Sequence, residues 1–207
     1  MINTTFFGGL KIASVQWQLS RANLDTRTRG GAVIRSGIGA PLWTGTATLA
    51  PGYHADLAAV EALLAELTAP GRFVLAYDPR HNGPKADPGG AILGGASPTI
   101  HTLDGDNRRM RIGGLPSGYV LSVGDYLGFQ YGSPARYALH RVTSAATASG
   151  GVTPLFSVAP NIRPGATTGA AVTLVRPVCK CLISAEYGAG RPLITSGAEI
   201  GLIQTLR

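Results

Sequence analysis

Apolar and polar residues alternate through residues 10–19, where Ala13, Val15, Trp17 and Leu19 share one parity and Ile12 takes the other, the pattern of a half-buried strand. A polar stretch rich in Ser, Asn, Asp and Arg runs from 20 to 31, read as a loop, and two further strands follow at 32–35 and 42–49, broken by Gly37, Gly39 and Pro41. After Pro51-Gly52 the period changes: Leu57, Val60, Leu63, Leu64 and Leu67 recur at three- and four-residue spacing, with Asp56, Glu61 and Glu66 left for water. This predicts a helix over about 53–68, ended by Pro70-Gly71. Burying its five aliphatic groups contributes roughly 8–15 kcal/mol before ordering entropy, enough to hold the helix against a sheet.

A strand at 72–77 stops at Asp78-Pro79, and a tract dense in Gly and Pro extends from 80 to 98, as expected of a functional loop or a junction between modules. Short strands are predicted beyond it, at 110–112, 119–123, 126–131, 137–143, 155–159 and 171–175. Turn signals such as Val123-Gly124-Asp125 and Ser149-Gly150-Gly151 separate them, in the texture of a small β-barrel or sandwich. Two longer strands close the chain at 178–187 and 199–206, with a turn over 188–192. The first strands and one helix make a thin core on their own, so these last strands are expected to complete it. The predicted fold is mainly β: a β-sandwich with one flanking helix, built from 1–79 and 177–207, carrying an inserted small β-barrel or sandwich at 80–176.

Composition sharpens this picture. Charged residues are 14% of the 207, against about a quarter in an average domain, and there are 29 glycines and 14 prolines. With 44% of residues hydrophobic and a net charge of +7, the chain is expected to fold and to hide surface in an assembly rather than to be disordered. The opening residues carry no basic leader and no sustained apolar stretch, and no apolar run approaches the roughly 18 residues of a membrane span, so a soluble protein without a signal peptide is expected. Two cysteines separated by one residue make no disulfide framework.

Candidate chemistry is sparse. None of His54, His81, His101 and His140 pairs with another at metal-ligand spacing, and Cys179-Lys180-Cys181 has no second cysteine pair to complete a zinc site. No nucleophile elbow, phosphate loop or zinc-protease helix occurs, and Gly124-Asp125 reads as a turn rather than a general base. No cofactor, metal or enzymatic activity is therefore expected. Trp17 and Trp43 are either core residues or interface anchors, and Arg27 and Arg29, within a cluster that includes Arg21 and Arg35, are candidates for pairing with a neighbouring subunit.

Several phrases together resemble a known family. Gly9-Leu10-Lys11-Ile12-Ala13-Ser14-Val15-Gln16-Trp17, then Pro41-Leu42-Trp43-Thr44-Gly45-Thr46-Ala47-Thr48-Leu49 leading into the helix, is similar to the start of distal tail and related minor tail proteins of long-tailed bacteriophages and prophages. Leu121-Ser122-Val123-Gly124-Asp125-Tyr126-Leu127, Ala138-Leu139-His140-Arg141-Val142 and Pro160-Asn161-Ile162-Arg163-Pro164-Gly165-Ala166 resemble their middle region, and residues 179–187 their closing strand. The resemblance implies a structural virion protein, made in the host cytoplasm. Such a protein closes into a ring, usually of six copies, at the distal end of the tail tube, and joins tube to hub and baseplate. DNA would meet it only by passing through the lumen. The alternative is a binding module for a saccharide or single-stranded nucleic acid, with Tyr126, Phe129, Tyr131 and Tyr137 as stacking surfaces.

Overall fold

The computed structural model describes residues 2–188 and 194–206. The chain is mainly β, with one α-helix flanking a six-stranded sheet and a second six-stranded sheet curled into a nearly closed barrel. The first sheet runs, edge to edge, Ile2–Asn3, Phe73–Ala76, Cys179–Glu186, Glu199–Gln204, Leu42–Leu49 and Ile12–Ser20. All its pairings are antiparallel except that of Ile2–Asn3 with Phe73–Ala76. The alternation read from the sequence is the alternation of this sheet: Trp43, Gly45, Ala47 and Leu49 face inward, while Thr44, Thr46 and Thr48 face outward.

The helix, His54–Leu67, lies on the inner face and buries Leu64 and Leu67. Its apolar stripe drives this docking, since no side chain caps its N-terminus. Thr68 closes the last turn through its N–H to the Leu64 carbonyl at 3.0 Å, and Gly71, at φ +79°, turns the chain into the next strand. Of the turn expected over 188–192, all but Gly188 lies outside the described residues.

The barrel strands are, in spatial order, Val172–Thr173, Tyr126–Tyr131, Arg136–Val142, Phe156–Ala159, Arg109–Gly113 and Thr99–Leu103, and a bridge between Thr99 and Ala171 brings the two ends together. Phe156, Met110, Ile112, Leu121, Leu127 and Leu174 fill its interior. Every barrel strand comes from residues 99–173, and every strand of the first sheet from 2–76 or 179–204.

Several elements differ from the sequence reading. The polar stretch at 20–31 contains a strand, Asn23–Arg27, which pairs with Val33–Gly37. The barrel strand Thr99–Leu103, directly after Pro98, is absent from the strands that the sequence pattern predicts. The Gly- and Pro-rich tract before it is tied down by buried carboxylates: Asp78 accepts from the Arg80 N–H, Asp87 from the N–H groups of Ile92 and Leu93, and Asp125, across in the barrel, from the Lys85 N–H at 2.9 Å.

Candidate assembly surface

The strands Ile12–Ser20 and Leu42–Leu49 stay in register up to the pair Ser20 and Leu42, and the hairpin of Asn23–Arg27 and Val33–Gly37 then carries both chains beyond the sheet. The Ile38 N–H to the Ala22 carbonyl, 2.9 Å, bridges the two segments. The tip is closed by Thr28, whose N–H donates to the Ala32 carbonyl and whose hydroxyl oxygen accepts from the Ala32 N–H, with Gly31 in the left-handed conformation. Every residue from Ser20 to Ala40 is exposed, so both faces of this arm are open.

The arm is amphipathic. Cross-strand partners share a face, so Asn23, Gly37, Asp25, Arg35, Arg27 and Val33 form one side and Leu24, Ser36, Thr26 and Ile34 the other. Ile38 and Ala22 continue the second, uncharged side. Leu24, Ile34 and Ile38 are 55%, 55% and 69% exposed, an unusual cost for large apolar groups in a hairpin that makes no core of its own. On the charged side Arg35 clasps Asp25 through two 2.7 Å hydrogen bonds, which hold the Asp25 carboxyl below its ordinary pKa. Arg27 and Arg29 are exposed on this arm and make no ion pair among the described residues.

The two tryptophans are core residues, the first of the two readings the sequence leaves open, and their buried rings do not serve as interface anchors. Trp17 stacks on Trp43 with ring centroids 6.4 Å apart and planes 14° from parallel, and both are buried. Gly45 makes room for this: a Cβ there would run into the six-membered ring of Trp17. Although the Trp17 ring turns inward, its strand Ile12–Ser20 is the outermost of the sheet and its outer edge is unpaired among the described residues.

The proposed stacking platform is likewise corrected. Tyr126, Phe129 and Tyr131 are buried, because the strand Tyr126–Tyr131 is covered on both sides. Phe129 stacks on His140 at 5.2 Å and meets Tyr131 edge-on, whereas Tyr126 meets Trp43 at 5.5 Å on the other side. Only Tyr137 keeps partial exposure, beside an open groove of about 410 Å³ that it lines with Gly128, Gln130, Thr173 and Val178. Single-stranded nucleic acid or sugar stacking needs several exposed rings, which this strand does not offer.

What the aromatic cluster does is join sheet to barrel. Tyr126 and Leu139 pack into the core of the first sheet, the Trp43 indole N–H donates to the Leu139 carbonyl at 2.7 Å, and Arg163 donates to the Pro41 carbonyl at the root of the arm at 2.8 Å. Burial pushes the Tyr126 hydroxyl up to about 12, so it stays protonated, 3.5 Å from the buried Asp78 carboxylate that Arg80 clamps from the other side. His140 donates through its Nδ1–H to the Pro160 carbonyl, 2.8 Å away, so Nδ1 carries the proton, and Nε2 has no partner among the described residues. Burial lowers its pKa to about 4, against a smaller upward pull from the Pro160 carbonyl, so the ring is neutral.

Cys179 and Cys181 project from the same inner face with sulfurs 3.5 Å apart, and no cluster of three or more metal-binding side chains occurs among the described residues. Among the same residues no helix is long and apolar enough to cross a membrane. Compared with models of known protein families and with curated proteins, the chain matches none.

Proposed function

We propose that the chain is a structural protein of a long-tailed phage or prophage tail, a ring component at the distal end of the tail tube that connects tube to hub and baseplate. The observation that carries this reading is the arm at residues 21–41, which leaves the sheet with an apolar side and an arginine-rich side and has no cover among the described residues. Such a ribbon lowers its free energy when a neighbouring molecule takes up its apolar side. The adjoining open edge of Ile12–Ser20 gives a second place where a neighbour's backbone can pair.

In this account the first sheet builds the ring, of six copies as in the resembling family, and the barrel is a rigid outer attachment. The junction at Trp43, Tyr126 and Leu139 supports rigidity, because reorienting the barrel would expose aromatic surface and break a buried hydrogen bond. The role is mechanical rather than catalytic, and DNA passes through the lumen without being read. An antibody raised against the chain tests the assignment on intact particles: labelling at the distal end of the tail supports it, and particles whose tails carry no label overturn it.

A further inference from the structure

The outer face of the first sheet has no second layer among the described residues, and its side chains form ordered cross-strand rows. One row is Leu182, Ile203, Thr44 and Gln18; the next is Ser184, Gly201, Thr46 and Gln16; the last sets Glu186 directly opposite Glu199, beside Thr48. Leu182 and Ile203 are 45% and 53% exposed, an apolar pair on an otherwise small, polar face. Glu186 and Glu199 are exposed like charges on adjacent strands, a pairing that destabilises a sheet unless a cation lies near, and neither makes an ion pair among the described residues.

The complement of this face is the arm of the same sequence. Its apolar side offers Leu24, Ile34 and Ile38 for the apolar pair, and its tip turn offers Arg29, exposed and in no ion pair among the described residues, for the two carboxylates. Its own copy's arm cannot make this contact. The arm leaves the sheet beyond Ser20 and Leu42, whereas Glu199 faces Thr48 at the opposite end, about 20 Å along the strand, and the arm points away from it.

Resting on the ring reading above, we infer that the arm of one copy docks on the outer sheet face of the next, its apolar side over Leu182 and Ile203 and Arg29 of its tip turn at Glu186 and Glu199. The contact is head-to-tail, joining two different surfaces, so repetition closes a ring when the rotation per copy divides a full turn. A low-charge chain gains selectivity from this arrangement, because opposite charges steer arm to face while arm-to-arm and face-to-face approaches repel.

Charge reversal on either side tests it, with assembly read by light scattering and folding by thermal unfolding. The variant R29E and the variant E186K/E199K should each fold yet need at least about tenfold higher concentration to assemble. Mixing the two should restore assembly, since each arm then finds an opposite charge on the other variant, and the chain carrying all three changes should assemble alone. Substitution of Ile34 by Asp weakens association with the charges untouched, which checks the apolar half. Native rings with reversed variants that assemble as readily as the native chain overturn this contact alone. A native chain that remains monomeric overturns the ring reading together with it.

Discussion

The indole nitrogen of Trp43 and the carbonyl of Leu139 are 2.7 Å apart and buried, and this hydrogen bond spans the junction between the first sheet and the barrel. Trp43 also receives Tyr126 edge-on and stacks on Trp17, so one side chain ties together the sheet, its outermost strand and the barrel. Replacing Trp43 by Phe keeps an aromatic ring but strands the Leu139 carbonyl. The expected loss is about 1–3 kcal/mol in denaturant unfolding, with the folded variant still able to assemble.

Gly45 and Trp17 face each other across the same strands. Gly45→Ala forces the indole off its seat, because the new methyl overlaps its ring, and should cost about 1–3 kcal/mol. In a Trp17→Leu background the same change should cost much less. Equal losses in both backgrounds, measured as a double-mutant cycle, contradict the packing described.

His140 links stability to pH. Its folded pKa, about 4, lies below the ordinary value of about 6.5, so the unfolded chain binds the proton more tightly. Its contribution is complete above about 6.5 and is lost as pH falls through that value toward 4, amounting to about 3 kcal/mol. Comparing unfolding free energies of the native chain and His140→Gln at pH 7 and pH 4.5 isolates this part. The native chain should lose more stability over that interval than the variant does.

Burial pushes the Cys179 thiol well above its usual pKa, with the neighbouring Cys181 sulfur adding to the shift, and both side chains are shut off from solvent. The pair should therefore resist a maleimide reagent in the native protein and react on unfolding. Replacing both by Ala should cost about 1–3 kcal/mol through lost packing and leave assembly intact. Stoichiometric zinc in protein purified without added metal, lost in that variant, contradicts the assignment of both as packing residues.

Regular periods were legible in the sequence. The Leu57-to-Leu67 spacing corresponds to the helix, and the alternation through Trp17 and through Trp43 to Leu49 corresponds to paired strands. The arm is half legible: residues 32–35 read as a strand, but Asn23–Arg27 carries one large apolar group among polar ones and so reads as loop. Its amphipathic character depends on the register that sets Asp25 against Arg35 and Thr26 against Ile34, which a one-strand pattern does not contain. The aromatic residues of Tyr126–Tyr131 misled for a related reason. Alternation suggests one wet face, whereas this strand packs on the barrel core with Leu127, Phe129 and Tyr131 and on the first sheet with Tyr126. The outer-face carboxylates were invisible because Glu186 and Glu199 are distant in sequence and become neighbours only through pairing of the last two long strands.

The central claim is self-association into a closed ring, and the mass of the purified chain in solution at high concentration, with images of the particles, tests it most directly. A discrete multiple of the 21.3 kDa subunit, near six copies, in annular particles is the predicted result. A single 21.3 kDa species at every concentration, which also forms no ring when mixed with tail-tube and hub proteins, contradicts it.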